Sequence, residues 1–166
     1  MSVCDYFLKL DGVEGESQDL KHKGELQIVS FSKETQSPRD LATGMASGRR
    51  FWDAARFSMR MDKSCILLMK YISENHNIKD AVLICRKAGG QDPTTKGQPG
   101  QEYFKITFSD VRVAKVSWRG SRDSDPTPIV DFALNFTKIQ EEYRTQTAQG
   151  TLGGTIEYSD SIGVGT

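Results

Sequence analysis

Residues 102–118, EYFKITFSDVRVAKVSW, decide the fold class of this 166-residue chain. Apolar Phe104, Ile106 and Phe108 alternate with polar side chains along the stretch. Because successive side chains of a strand point to opposite faces of a sheet, this alternation predicts a half-buried β-strand. The stretch therefore indicates a sheet with one face in the core and the other face in water.

The same two-residue period recurs along most of the chain and predicts a mainly β fold. We expect a barrel or sandwich of two sheets. One region, 129–143, spans 15 residues, against about five or six in a usual strand. Its apolar face shifts near Thr137 and Ile139, which predicts a bend that passes the strand from one sheet to another. The other predicted strands are residues 3–11, 24–32, 51–61, 78–88 and 155–158, with Trp52, Phe57 and Met59 as candidate core.

One segment, about residues 62–75, departs from this period and predicts a single helix on the flank of the sheets. Asp62 is the predicted amino-terminal cap, because its carboxylate can accept bonds from the first free backbone amides. Asn75 and His76 lie where the helix is expected to end. The apolar positions have the spacing of an amphipathic helix and are Cys65, Leu68, Met69 and Ile72.

Length and charge narrow the class of protein. The chain has room for one domain, so we expect residues 1–166 to form a single unit. Lys and Arg total 22 and Asp and Glu total 22, a balance that argues against a nucleic-acid binder or a polybasic membrane anchor. No apolar run approaches the ~20 residues of a membrane span. The amino terminus lacks the basic and apolar pattern of a cleaved signal peptide.

Residues that carry chemistry are few and scattered. The three cysteines, Cys4, Cys65 and Cys85, and the two histidines lie at least nine residues apart, so no pair has metal-ligand spacing. We expect reduced thiols that behave as small buried hydrophobes, no metal or other cofactor and no enzymatic activity. His22 is predicted to lie in a solvated polar loop, and the basic residues, Arg86 among them, on a solvated face.

Loops and sheet edges are the remaining features of the sequence. The predicted loops 33–48, 89–101 and 119–128 are long, and loops above about twelve residues usually have a task or are disordered. The acidic loop 11–19 lacks the ligand pattern of a calcium loop, so we interpret it as a set of turns. A long-stranded β domain must cover, charge or pair its edges, and head-to-tail pairing of identical copies can close into a ring.

Several motifs in fixed order give the chain a resemblance to a known family. They begin with DGVEGESQD at residues 11–19 and continue through HKGE at 22–25, DKS at 62–64 and RKAGG at 86–90. On these motifs the chain resembles the haemolysin-coregulated protein (Hcp) family, the inner-tube subunit of the bacterial type VI secretion system. The matching positions include Asp11, Gly12, Gly15, Glu16, Ser17, His22, Lys23, Gly24, Asp62, Lys63, Arg86, Lys87, Gly89 and Gly90.

The resemblance implies a structural protein. Six copies are expected to form a ring, and rings to stack into a tube that a contracting sheath drives, with its spike, into a target cell. The expected partners are further copies of the chain, spike, baseplate and sheath proteins, and effector proteins held and protected in the bore. Nucleic acid and direct membrane insertion are not expected. The chain is expected to be made in the bacterial cytoplasm and exported by the type VI apparatus without a cleaved signal peptide.

The resemblance also assigns two sets of residues. Ser30 and Ser32 are candidates for the face that lines the bore, although they equally fit ordinary exposed strand positions. The loop residues Arg39, Asp40, Leu41 and Met45 are candidates for ring-to-ring contact.

Two alternatives remain open at the level of sequence. A secreted effector enzyme on the same scaffold would need paired carboxylates with shifted pKa values, or a thiolate from Cys65 or Cys85. A phage-type tail tube that conducts DNA would need a bore lined mainly by acidic residues, because these repel the polyanion.

Overall fold

The computed structural model describes residues 4–87, 100–147 and 152–162 of the chain. Gly89, Gly90 and most of the predicted loop 89–101 lie outside the described residues. The described residues form β1 (Cys4–Leu10), β2 (Leu26–Ser32), β3 (Thr35–Gln36), β4 (Phe51–Trp52), β5 (Ala55–Arg60), α1 (Lys63–Glu74), β6 (Ile78–Lys87), β7 (Gln101–Arg119), β8 (Ile129–Asn135), β9 (Lys138–Gln146) and β10 (Leu152–Ser161).

Eight of these strands form one antiparallel sheet that closes on itself. Its order is β10-β9-β7-β6-β1-β2-β5-β8, and β8 also pairs with β7. The six strands from β7 through β8 therefore make a closed barrel, and β9 and β10 extend from the other half of β7. A separate two-stranded sheet joins β3 and β4. The predicted mainly β barrel with one flanking helix is confirmed.

A bend in β7 allows this one strand to serve both parts of the sheet. Residues 104–109 pair with β9, whereas residues 112–119 pair with β8. Asp110 lies between the two halves with a positive φ of 50°. The predicted bend in region 129–143 is confirmed at Phe136 and Thr137, where the Thr137 amide donates to the Ser109 carbonyl at 3.1 Å. The predicted passage to a second sheet is wrong, because β8 and β9 belong to the same sheet and both pair with β7. The chain thus crosses from β8 to β9 at the point where β7 bends.

The alternating apolar residues fill the barrel. Ile106 and Phe108 are buried, and the Phe57 ring lies 5.2 Å from the Phe132 ring. Met59 is buried as predicted, whereas Trp52 is half-buried. The outward rows carry the polar residues, as the sequence alternation predicts.

The predicted strand 51–61 is wrong in one respect, because it is two strands. The Asp53 amide donates to the Glu34 carbonyl at 2.9 Å, which diverts the backbone between β4 and β5. β4 then pairs with β3, which lies within the predicted loop 33–48. β5 joins the barrel. The final strand is longer than predicted, since β10 covers Leu152–Ser161.

The helix has the predicted position and caps. The Ser64 amide donates to the Asp62 carboxylate at 2.8 Å, and Asn75 adopts the left-handed conformation with φ 49°. Cys65 and Leu68 are buried against the barrel, whereas Met69 and Ile72 remain more than a third exposed. At 12 residues α1, the one helix of the described ranges, does not reach the length of a membrane span.

Candidate assembly surfaces

One outward face of the barrel is built from small and charged residues. It spans β2, β5, β8 and residues 112–119 of β7, and we call it the polar face. The strand register places its residues in cross-strand rows. The rows are Ser30-Ser58-Asp131-Ser117, Ser32-Arg56-Ala133-Lys115, Arg60-Ile129-Arg119 and, at the end of β8, Asn135-Arg112. Ser30 and Ser32, the predicted bore residues, lie exposed on this face beside a shallow depression.

Charges on the polar face are mostly positive. Arg56 pairs with Asp53 at 3.1 Å and Arg60 pairs with Asp125 at 2.8 Å, both carboxylates lying at the rim of the face. The Ser58 hydroxyl donates to Asp131, the acidic residue in the centre.

Three further cations on this face stand apart from these pairs, and one of them, Arg112, donates to the Asn75 carbonyl at 3.4 Å. Lys115 and Arg119 have no carboxylate within ion-pair distance among the residues that the structure describes. They are both exposed.

The four strands of the polar face have two open edges. β2 pairs with β1 only as far as Ile28, so Ser30–Ser32 have β5 as their one described neighbour. Residues 112–119 of β7 pair with β8 on one side, and no described strand pairs with them on the other. Unpaired strand edges are templates for another strand.

A second surface is the β3–β4 hairpin, residues 35–52, which carries the predicted stacking residues. Arg39 and Ala46 form an isolated bridge beyond the two short strands. Asp40 folds the tip, because its carboxylate accepts bonds from the Thr43 amide and hydroxyl and from the Ala42 amide, which lowers its pKa.

The hairpin presents two apolar side chains to solvent at this tip. Leu41 is fully exposed and Met45 is 69% exposed. At the base of the hairpin, Arg50 and the Trp52 indole donate to Asp160 of β10, and these bonds lower the pKa of Asp160. The hairpin is therefore anchored at its base while its apolar tip lacks a described partner.

The prediction that His22 lies in a solvated loop is wrong. Its side chain is only 4% exposed, and its ring stacks on Phe7 with centroids 4.4 Å apart. Nδ1 lies 2.9 Å from a Glu25 carboxylate oxygen and Nε2 lies 2.8 Å from a Glu102 carboxylate oxygen. Glu102 is 80 residues away in sequence, so no local pattern indicated this burial.

The prediction of a solvated face is also wrong for Arg86. Its side chain is 11% exposed, and it donates to Asp5 at 2.9 Å and to Asp19 at 2.7 Å. The guanidinium also lies 4.8 Å from the centre of the Phe7 ring. The hydrogen bond from Arg86 is the main cause that lowers the pKa of Asp19 to about 2.

The described family-motif positions hold the acidic loop on the barrel. A side chain at Gly15 would place its Cβ 2.5 Å from the Glu25 carbonyl oxygen, so only glycine allows this approach. The Glu16 amide donates to the Asp62 carboxylate at 3.2 Å, which links the loop to the start of α1. Ser17, within the loop itself, is buried.

The other motif positions lie around this loop. The Asp11 amide donates to the Asp80 carbonyl, and Gly12 and Gly24 adopt positive φ. Lys63 pairs with Glu14 at 3.4 Å, Lys87 donates to Gln146, and Lys23 is exposed. We therefore attribute most of the motif to the packing of loop 11–19.

The two buried thiols, Cys65 and Cys85, are poor nucleophiles at neutral pH. Cys65 and Cys85 are buried, Cys4 is half-buried, and all three are free. Burial raises the pKa of the Cys85 thiol to about 12 and also raises that of Cys65. Within residues 4–87, 100–147 and 152–162, no three His, Cys, Asp or Glu side chains gather as a metal-ligand group. The thiolate that a secreted enzyme would need is not favoured at either buried position.

A barrel with an open-edged polar sheet and an anchored, apolar-tipped hairpin has the features of a self-assembling tube protein. The sequence model of the family described as "Type VI secretion system effector, Hcp" matches residues 7–143. The chain is 31% identical over 163 residues to protein hcp1 of Pseudomonas aeruginosa, covering 96% of each chain. The chain belongs to the Hcp family. This membership confirms the predicted structural role in the type VI secretion tube, and with it that the protein is a type VI secreted protein.

Solved structures agree with this assignment. Hcp1 of Salmonella typhimurium is 32% identical with a TM-score of 0.72, covering 98% of this chain and 96% of its own. The solved structure of a type six secretion system protein has a TM-score of 0.85 at 21% identity, covering 96% of both chains, and supports the fold.

Proposed function

We propose that six copies join head to tail through the two open edges of the polar face. The strands β2, β5, β8 and β7 alternate in direction, so the β7 edge of one copy meets the β2 edge of the next as an antiparallel pair. A head-to-tail contact that closes gives a ring. The two open edges on one four-stranded sheet are the observation that carries this proposal.

The polar face then lines the bore as a continuous sheet. Ser30 and Ser32, together with Ser58 and Ser117, give this wall small polar side chains that a protein cargo can contact. In this role the chain is a single structural domain that carries and protects effectors and performs no catalysis. Spike, baseplate and sheath proteins are its partners, and the chain leaves the cytoplasm through the type VI apparatus without direct insertion into a membrane.

Protein cargo fits the polar face better than DNA does. A tube that conducts DNA requires mainly acidic walls, which keep the polyanion from adhering. The rows of the polar face carry Arg56, Arg60, Arg112, Lys115 and Arg119 against the single carboxylate of Asp131. We therefore favour the secretion tube over the phage-type alternative.

The ring is tested on the purified chain. Mass photometry and negative-stain electron microscopy are expected to show a hollow ring about six times the 18.5 kDa mass of the chain. A monomer at every concentration, with no rings on the grid, would contradict the proposal.

The hairpin tip is expected to bind the next ring. Leu41 and Met45 expose apolar surface that a partner would bury, so Leu41→Asp with Met45→Asp should weaken stacking about tenfold or more. Electron microscopy would show shorter stacks, while mass photometry would show intact rings. The matched control is Leu20→Asp, because Leu20 is also fully exposed but lies in loop 11–25. Stacks of unchanged length in the double variant would remove the hairpin from the ring-to-ring contact.

A further inference from the structure

The unpaired cations of the polar face indicate which cargo the bore accepts. Lys115 lies in the row with Ser32, Arg56 and Ala133, and Arg119 lies in the row with Arg60 and Ile129. Arg56 and Arg60 already have rim carboxylates as partners, at 3.1 and 2.8 Å. Lys115 and Arg119 have no such partner in the part of the chain that the structure describes. Arg112, the remaining exposed cation of this face, donates to the Asn75 carbonyl at 3.4 Å. Each protomer therefore presents two exposed charges, Lys115 and Arg119, with no partner among the described residues.

Lys115 and Arg119 give the polar face a local excess of positive charge. The whole chain is electrically neutral, with 22 basic and 22 acidic residues, so a local excess on one face is a matter of arrangement. In a closed ring the same face repeats around the bore, where the field of each copy adds to that of its neighbours. Such a concave, like-charged surface raises the local concentration of molecules of opposite charge.

We infer that the polar face selects proteins and peptide segments with acidic surfaces, through Lys115 and Arg119. The inference rests on the proposed function, because that function makes this face the wall of the bore. The polar face holds Asp131 at its centre and hydroxyls around it, which suits the mixed surface of a protein. A phosphate backbone would meet this central carboxylate, so protein is the favoured occupant.

The probe is a fluorescent peptide of alternating Glu and Ser, compared with the same peptide carrying Lys in place of Glu. Anisotropy measured on purified rings is expected to give at least ~10-fold tighter binding of the acidic peptide. Its affinity should fall as salt rises from about 50 mM to about 500 mM. A DNA duplex of equal charge serves as a third probe.

The test variant is Lys115→Glu with Arg119→Glu, which should reverse the preference. Because both residues lie on an open edge, Lys115→Gln with Arg119→Gln is a second variant that removes charge without adding repulsion, and it should abolish the preference. The matched control is Lys9→Glu with Lys79→Glu, which makes the same charge change at exposed positions of β1 and β6, outside the polar face. The control should bind the acidic peptide as the original chain does.

The outcomes separate this inference from the proposed function. Rings that bind both peptides equally, or neither, overturn the inference and leave the ring intact. Tighter binding of the duplex than of the acidic peptide overturns it in favour of nucleic acid. A chain that forms no ring but binds the acidic peptide through Lys115 and Arg119 overturns the ring and supports the charge selection. A chain that does neither overturns both.

Discussion

Proline at one of two adjacent positions of β7, Ser117 or Trp118, is expected to abolish rings and leave a folded monomer. Successive amides of a strand point to opposite sides, so one of these amides faces β8 and the other faces the open edge. Proline at the edge-facing position removes a donor only from the contact between copies. Each lost bond costs about 1–3 kcal/mol, and the cost recurs at every joint of the ring. The expected result is therefore a complete loss of the ring species in mass photometry.

The other of the two proline variants, Ser117→Pro or Trp118→Pro, serves as an internal comparison. Proline at the amide that faces β8 breaks a bond inside the barrel, so it should lower the free energy of unfolding by about 1–3 kcal/mol. Ser117→Ala and Trp118→Ala keep both amides and should form rings, which separates the backbone effect from loss of the side chain. Circular dichroism reports whether each variant is folded. Rings from both proline variants would show that the β7 edge makes no contact between copies.

Local patterns in the sequence were sufficient for much of the fold. The Asp62 cap depends on residues two positions apart, and the alternation of β7 follows from the pleat of a single strand. The break between β8 and β9 was visible because the apolar face changes side at Thr137. Each of these features depends on neighbours in sequence, which a pattern can report.

Features that depend on distant residues were missed. The His22 ring is buried because Phe7 of β1 and Glu102 of β7 contact it. Arg86 is buried because it pairs with Asp5 and Asp19, which lie 81 and 67 residues away in sequence. A charged residue is predicted to be exposed when the residue that pairs with it is distant in sequence.

The open edges of the polar face also depend on distant residues. They follow from where β1 stops pairing with β2, at Ile28, and where β6 stops pairing with β7, at Val111, and that is a property of the whole barrel. The sequence indicated only that strand edges of such a domain can pair between copies. The strand register of the barrel identifies Ser30–Ser32 and residues 112–119 as the open edges.

Arg86→Met is expected to lower the free energy of unfolding by about 2–3 kcal/mol. Methionine keeps much of the apolar stem over Phe7 but leaves Asp5 and Asp19 without their shared cation. Removing one partner of a largely buried ion pair leaves an uncompensated charge, and the partial exposure of the two carboxylates reduces the full penalty. Urea denaturation followed by circular dichroism measures the loss. The control is Arg56→Met, because Arg56 and Asp53 are both about half exposed and such a pair contributes about 1 kcal/mol or less.

The acid dependence of stability distinguishes this ion pair from simple packing. The hydrogen bond from Arg86 lowers the folded-state pKa of Asp19 from 3.8 to about 2, so Asp19 stabilises the fold above about pH 4. That contribution is lost as the pH falls from about 4 to about 2. In Arg86→Met the pKa of Asp19 should return toward its ordinary value, and the free energy of unfolding should depend less steeply on pH across this window. An equally steep dependence in the variant would show that Arg86 stabilises the barrel by packing on Phe7 and not through its charge.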